Sequence, residues 1–444
     1  MKKTHYSLPI IHLLFLILLS SCSLQKQIGK SARQVIGDSA LQTAHVGISI
    51  YEPATGKYWY NYQGDHYFVP ASNTKIPTCY AAMKYLGDSL VGLRYTFLSN
   101  NILLIKPAGD PSFLHPEFLY QPVYDFLKHT GRAQIILCNP GWHEKGLGSG
   151  WSWDDYADNY MAERSFMPVY GNLVRFKNNG KQFMATPKYF TVENEIKGVD
   201  ISQHTDSTGY RYNIKRSLNK NDFSVYPVKD SVTAIEMPFV TEGIVPALLK
   251  DTLGRNIIED YTLSLDNKKA FVIHSQPTDS LLKPMMHRSD NFFAEQSLLM
   301  VSNELLGYMK EEAIIDTLLK TDFKDLPQKP RWVDGSGLSR YNLFSPQDFV
   351  TILHKMKNEF GMDRIRNIFE TGGTGTISNY YKAEQGTIFG KTGTLSGVVA
   401  FSGFLYTKKR KLLIFSTLVN NHNHSATSVR RAIEKFLEGI RNKY

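Results

Sequence analysis

The stretch Val69-Pro70-Ala71-Ser72-Asn73-Thr74-Lys75 runs directly into a segment where Ile76, Tyr80, Met83 and Leu86 recur at helical spacing. That spacing predicts a helix over residues 72–86. A serine at its start and a lysine one turn on share a face, so the amine stands beside the hydroxyl. A helix start also offers free N–H groups and the positive end of the dipole, both suited to a developing oxyanion. Serine is a weak nucleophile until a neighbouring base takes its proton, and a neutral lysine is a workable base. The spacing alone decides nothing, since Ser23/Lys26, Ser217/Lys220 and Ser280/Lys283 repeat it. Ser72 is set apart by the apolar helix it opens.

On either side of this helix the sequence alternates between hairpins and helices. Residues 45–51, the turn Pro53-Ala54-Thr55-Gly56 and residues 57–62 form a hairpin pattern. The far end mirrors it. Residues 387–393 read as a strand, and residues 398–406 and 412–418 as a second hairpin around Lys408-Lys409-Arg410-Lys411. A final helix places Val429, Ala432, Ile433, Phe436, Leu437 and Ile440 on one face. Both ends of the chain therefore offer strands to one sheet, with helices near residues 289–307 and 346–357 available to cover it. Residues 95–265 differ in texture. They carry short strand-like pieces, aromatics and Asn/Gly/Asp turns, and read as an inserted, mostly β module.

Two more stretches carry chemistry. Ser289-Asp290-Asn291 opens a helix through Phe292, Phe293, Glu295 and Leu298; its plainest reading is a helix cap. Lys391-Thr392-Gly393-Thr394 ends a strand, where a surface lysine would be unremarkable. Taken together with Ser72 and Lys75, the order Ser-x-x-Lys, Ser-x-Asn, Lys-Thr-Gly is the signature of penicillin-binding proteins and class A β-lactamases. Each piece also sits where its role requires it: two helix starts and a strand end.

The bulk numbers set the context. The chain has 444 residues, 42% hydrophobic and 21% charged, an ordinary globular balance with room for two or three domains. The formal charge of +10 fits solubility and scattered surface lysines, or attraction to an anionic surface; no basic run or motif argues for nucleic acid. Lys2 and Lys3 precede an apolar stretch at residues 10–19, too short to span a bilayer but suited to a secretory signal. It ends in Leu19-Ser20-Ser21-Cys22, which resembles a lipobox. That makes residues 1–22 an expected lipoprotein signal peptide and Cys22 the expected lipidation site, a membrane anchor for a periplasmic protein. Ser23 after the cysteine points to the outer membrane. Cys79 and Cys138 would then be the remaining cysteines, and nothing in the sequence pairs them. No His/Cys cluster has metal-ligand spacing, so no metal or organic cofactor is implied.

The chain resembles the class C low-molecular-mass penicillin-binding proteins, the D-Ala-D-Ala carboxypeptidase/endopeptidase family, over almost its whole mature length. Further points of likeness are Gly109-Asp110-Pro111, Gly150-Trp151-Ser152-Trp153-Asp154-Asp155-Tyr156, Gly373-Thr374-Gly375-Thr376 and, most specific, the stretch from Asp334 through Gly335-Ser336-Gly337-Leu338-Ser339-Arg340 to Asn342. The separation of 217 positions from Ser72 to Ser289 (289 − 72) leaves room for the family's large insertion, which class A β-lactamases lack.

The resemblance implies an α+β (α/β sandwich) fold of the penicillin-binding, β-lactamase-like transpeptidase type. Residues 23–94 and 266–444 would form the catalytic domain, split by the insert at 95–265. It implies that Ser72 attacks the carbonyl between two terminal D-alanines of a peptidoglycan stem peptide, with Lys75 as general base. Ser289 would relay the proton to the leaving amine and Asn291 would hold the acylated peptide. Lys391, helped by Thr392 and Thr394, would attract the terminal carboxylate. The backbone around Gly393 and the N–H groups of Ser72 and Thr394 would serve the oxyanion. Asp155, Tyr160 and Arg340 are matched to a pocket for the diamino-acid side chain. β-Lactams would act as covalent inhibitors. Two other readings are a β-lactamase, against which stands the lack of a Glu-x-x-x-Asn pattern, and a non-catalytic peptidoglycan-binding lipoprotein. Three features depart from the family pattern: Ser396 stands where relatives often carry a longer polar residue, residues 91–104 are shorter than expected, and Pro77 follows the nucleophile closely.

Overall fold

The structure, a computed structural model, describes residues 27–33, 36–99, 101–178, 183–191, 196–197, 211–228 and 234–444. The expected signal segment and Cys22 lie outside the described residues. The described residues divide into two compact units, one of those up to residue 76 with 325–332 and 342–444, the other of those within 77–324 with 333–341.

The first unit is built on a six-stranded antiparallel sheet. We number its strands β1 (His45–Glu52), β2 (Lys57–Tyr62), β3 (Glu370–Thr371), β4 (Ile388–Leu395), β5 (Val398–Tyr406) and β6 (Leu412–Asn420). Their order across the sheet is β3-β4-β5-β6-β1-β2. The two hairpins read from the sequence are thus both present. The chain's two ends meet where β1 pairs β6, His45 opposite Asn420 and Ser49 opposite Ser416. The sequences of β5 (VVAFSGFLY) and β6 (LLIFSTLVN) are nearly continuous apolar runs because both faces of these central strands are covered. The helix Ala426–Lys443 contributes Val429, Ile433, Phe436, Leu437 and Ile440 to a single core with Val399, Phe401, Leu413 and Phe415. The helix Pro346–Ile368 also packs on the sheet, and its Phe349, Ile352, Leu353 and Met356 are buried. Its start is set by a capping box, Ser345 accepting from the Asp348 N–H and Asp348 from the Ser345 N–H. It runs past the expected residue 357 and is broken at Gly361, which adopts φ 76°.

The second unit holds a five-stranded sheet ordered Ile257–Asp260, Gln134–Cys138, Ile102–Pro107, Ser89–Ser99 and Phe271–Pro277. The first two pairings are parallel and the last two antiparallel. Parallel neighbours need a crossover, and the helices Pro122–His129 and Val245–Leu253 lie on those connections. Two three-stranded sheets make up the rest of the sheet structure among the described residues of 95–265. The insert was expected to be mostly β; the two helices within it have only 8 and 9 residues, too short for their periodicity to stand out. Its expected edge at residue 95 falls inside the continuous strand Ser89–Ser99. Three helices, Thr278–His287, Asn291–Leu306 and Glu311–Lys320, follow in the same unit. Cys79 is buried, and Cys138 is buried as a thiol that burial pushes up to about 11, so the two do not pair.

Candidate active site

In the first unit, the segment before the nucleophile is pinned to the sheet by two asparagines. Asn420, at the end of β6, accepts from the Val69 N–H at 2.7 Å and donates to the Val69 carbonyl at 3.0 Å. Asn73 donates to the Ser402 hydroxyl of β5 at 2.6 Å, and Ser402 donates to Ser416 of β6 at 2.8 Å. Between these anchors the chain makes one 3-10 turn, Ala71–Thr74, and continues as the α-helix Lys75–Tyr85. Ala71 takes φ 47°, a left-handed conformation that costs a side-chain-bearing residue roughly 1 kcal/mol. Strain of this kind persists only where the surroundings enforce it. The result is that Ser72 is half-buried, Lys75 fully buried, and the Lys75 Nζ stands 3.1 Å from the Ser72 Oγ. The tight first turn also explains how Pro77 is tolerated so close to the helix start.

The strand β4 carries the second motif to the same place. A Cβ added to Gly393 would meet the Pro70 carbonyl oxygen at 2.5 Å and the Ser72 and Asn73 nitrogens at 3.0 and 3.1 Å. Glycine is therefore required because the nucleophile's turn lies directly against the strand. Lys391, two residues earlier and paired opposite Ser402, is fully buried and donates to the Thr392 carbonyl at 3.0 Å. Burial pushes its ammonium down to about 8, with Arg430 adding to the fall and Glu370 opposing it. Glu370 lies on β3, opposite Gly390. It is itself buried and held above the usual carboxylate range by that burial, against the pull of Lys391 and Thr376. Thr376 donates its N–H and hydroxyl to Glu370, both at 2.5 Å, and its hydroxyl also meets that of Thr392 at 2.5 Å. Thr394 is exposed, and its hydroxyl accepts from Arg430 of the last helix at 2.6 Å.

In the second unit, Asp290 is the residue that caps the helix Asn291–Leu306, accepting from the Phe293 N–H at 3.0 Å. The cap reading of this motif thus applies to its middle residue. Ser289 precedes the cap at φ 61°, a second left-handed non-glycine position. Asn291 donates to the Tyr160 carbonyl at 3.0 Å. The Tyr160 phenol is held up by burial, then by Asp158 and Asp155, whose carboxylates accept a hydrogen bond from its hydroxyl. Asn291, Tyr160 and Asp155 are therefore neighbours. Arg340 is exposed and its N–H donates to the Gly150 carbonyl at 3.4 Å. Its loop is organised by Asp334, which accepts from the N–H groups of Gly337 (2.9 Å) and Ser339 (2.6 Å) and from the Trp151 indole (3.0 Å).

A model of the D-Ala-D-Ala carboxypeptidase 3 (S13) family matches residues 28–440. The chain belongs to this family. It is accordingly a serine-type hydrolase of the class C low-molecular-mass penicillin-binding group. Among curated relatives, a D-alanyl-D-alanine carboxypeptidase of Haemophilus influenzae is 24% identical, over 82% of this chain and 82% of that protein. One from an Actinomadura species is 25% identical, over 88% and 80%. Penicillin-binding protein 4 of Haemophilus influenzae shares the fold with a TM-score of 0.70 and 18% identity, over 94% of this chain and 98% of that one. A predatory peptidoglycan endopeptidase of Bdellovibrio bacteriovorus gives a TM-score of 0.51 at 15% identity, over 90% and 93%. The α+β fold implied by the family resemblance is thus the fold observed.

Within this family member, three groups beside the motifs escaped the sequence reading. Glu370 and Arg430 are the charges that act on Lys391, and neither lies in a recognisable motif. Glu370 had one signal, the Gly-Thr-Gly-Thr stretch that follows it and supplies Thr376. The third group is buried: Arg164 contacts Glu311 at 2.5 Å, and Glu295 and Glu144 each at 3.5 Å. Glu295 accepts from the Ser336 N–H at 2.7 Å and Glu311 from the Gly335 N–H at 3.0 Å. Burial holds both carboxyls above their usual range, Glu311 far above it. One cation among these acids fixes the Gly-Ser-Gly-Leu-Ser loop to the helix that Asn291 begins.

Proposed function

We propose that the chain is a D-Ala-D-Ala carboxypeptidase and DD-endopeptidase that works on peptidoglycan stem peptides through a Ser72 acyl-enzyme and is inhibited by β-lactams. The observation that carries the reading is the buried Lys75 amine 3.1 Å from a half-exposed serine hydroxyl, with the Lys-Thr-Gly strand packed against the same turn. In this mechanism Lys75, as the free amine, takes the Ser72 proton while Oγ bonds to the carbonyl carbon of the penultimate D-alanine. The C–N bond breaks, and the leaving amine receives the proton through Ser289. Water then cleaves the ester, releasing the shortened peptide and restoring Ser72. The N–H groups of Ser72 and Thr394 stabilise the oxyanion, each donor contributing about 3–4 kcal/mol. Lys391, Thr392 and Thr394 receive the carboxylate beside the scissile bond, and Asn291, Tyr160, Asp155 and Arg340 receive the rest of the stem. That Asn291, Tyr160 and Asp155 are neighbours supports grouping them.

The same reading treats residues 95–265 as an insert into a peptidase domain formed by 23–94 and 266–444. It treats residues 1–22 as a lipoprotein signal, and Cys22 as the anchor that holds the enzyme on the periplasmic side of a bacterial membrane, the outer one by the Ser23 criterion. Penicillin-binding protein 4 of Haemophilus influenzae has been solved with a β-lactam bound, which supports the inhibitor class for this fold. Mass spectrometry after penicillin exposure tests the mechanism. A penicilloyl adduct on the peptide containing Ser72, lost in Ser72→Ala, is expected; an unmodified Ser72 peptide would favour a non-catalytic wall-binding protein. Rapid nitrocefin turnover would favour a β-lactamase. Incubation with a pentapeptide and with a cross-linked muropeptide dimer separates D-alanine release from cross-link cleavage.

A further inference from the structure

Within the second unit, apart from the residues assigned to catalysis, lies a cavity of about 770 Å³. That volume falls within the range of small-ligand sites. One wall consists of Trp142, Phe166 and Tyr261. Their rings follow one another edge to face, with centroids 6.3 Å apart at each step. Tyr261 is 44% exposed, yet its hydroxyl is fixed by a 2.5 Å hydrogen bond to Glu259. The ring is thus held in place without being packed away. The charged residues of the lining are mainly acidic: Glu144, Glu163, Glu242 and Glu259 against two cations, Lys145 and Arg164, among apolar and neutral polar groups such as Leu218, Val240 and Asn219. Arg164 is already engaged by Glu144 and Glu311, so the cavity carries an excess of negative charge. Glu163 is oriented by the N–H and hydroxyl of Thr241 at 2.9 and 3.0 Å.

A ligand for this lining must offer an apolar face to the rings and hydrogen-bond donors to the carboxylates, and must carry no negative charge. A stem peptide with free carboxylates is disfavoured by the excess of carboxylates over cations in the lining, and so is a phosphate-bearing ligand. A pyranose meets all three conditions: its C–H faces lie against aromatic rings, and its hydroxyl and acetamido N–H groups donate to carboxylates. We propose that this cavity binds the neutral, N-acetylated amino-sugar strand of the cell-wall polymer, a second contact with the substrate beyond the peptide. The proposal rests on the peptidoglycan reading above for the identity of the polymer, while sugar binding itself is measured without catalysis.

The test is calorimetric titration of the purified full chain with tri-N-acetylchitotriose, alongside D-alanine release from a soluble, sugar-free pentapeptide. Saturable binding is expected, weakened at least about tenfold by Trp142→Ala and by Tyr261→Ser, as for aromatic anchors elsewhere. Pentapeptide turnover should stay within about twofold in both variants, since neither residue belongs to the catalytic set, and this also reports intact folding. Tyr261→Ser is the safer variant because the ring is exposed. The proposal is overturned if wild-type protein does not bind the trisaccharide, if both variants bind it as well as wild type, or if a lysine-containing peptide without sugar competes for it. Absence of pentapeptide turnover in wild type would instead sink the catalytic reading and leave the titration interpretable.

Discussion

Replacing Glu370 by glutamine should convert a buried charge effect into a measurable pH profile. Lys391 is fully buried, and that burial, with Arg430, brings its ammonium down to about 8 while Glu370 opposes the fall. A charged neighbour at short range shifts a partner by roughly one to three units. Glutamine keeps the shape, an acceptor for the Thr376 N–H and a polar contact to its hydroxyl, and removes only the charge. At about pH 7.5, a group titrating near 8 is roughly 76% protonated; shifted down by one unit it is about 24% protonated, and by two units about 3%. If the substrate carboxylate needs cationic Lys391, kcat/KM for D-alanine release should fall about threefold for one unit and about 25-fold for two. The sign is fixed: the charge is lost as pH rises through the folded value, so the alkaline limb of the profile should move toward lower pH. Activity on the acid side, where both proteins hold Lys391 charged, should converge. The assay is D-alanine release from a pentapeptide across the pH range, with the kcat and KM contributions separated. An unchanged alkaline limb in Glu370→Gln would refute the reasoning, because it would mean that Glu370 does not set the charge on Lys391.

Two further outcomes follow from contacts within each unit. Arg164→Met leaves Glu295 and Glu311 buried without their cation, so the midpoint of urea unfolding should fall by the equivalent of about 3–5 kcal/mol at neutral pH. The loss should shrink as pH falls and the orphaned carboxyls take up protons, and an unchanged midpoint would rule the network out as a structural centre. Gly393→Ala places a methyl group 2.5 Å from the Pro70 carbonyl, so the nucleophile's turn must move. A displacement near 1 Å costs about 100-fold, to be read as the second-order rate of penicillin acylation; a variant acylated at the wild-type rate would contradict the close packing.

The parts of the fold legible in the sequence were those with a strong local period. The two hairpins and the last helix alternate or recur cleanly, and the structure reproduces them almost to the residue: residues 398–406 are β5, and all six residues of the expected stripe are buried. The three motifs were legible for a different reason, since order and spacing along the chain survive where three-dimensional proximity cannot be seen. What could not be read was set by tertiary context. The helices Pro122–His129 and Val245–Leu253 are crossovers between parallel strands, and their need arises only once those strands pair. The Ser-Asp-Asn stretch looked like a cap, and Asp290 is one; its flanking residues differ from an ordinary cap in the φ of Ser289 and the reach of Asn291 to Tyr160. Glu370 and Arg430 approach the Lys-Thr-Gly strand from β3 and from the last helix, positions that no one-dimensional spacing joins.

The charges around the motifs matter as much as the motifs. Lys75 and Lys391 are both fully buried in a unit whose core is a sheet packed with apolar helices. Burial alone drives every amine toward neutrality, so a site that needs one neutral and one charged lysine must treat them differently. The proposed chemistry needs Lys391 cationic before the substrate arrives and Lys75 able to accept a proton from the hydroxyl beside it. At Lys391 that treatment involves Glu370, which sits on the strand next to β4, opposite the residue before Lys391, and favours the charge there. Sites that separate acid from base in this way set two like groups apart through their neighbours, and the neighbour that favours charge on Lys391 is a carboxylate on a two-residue strand.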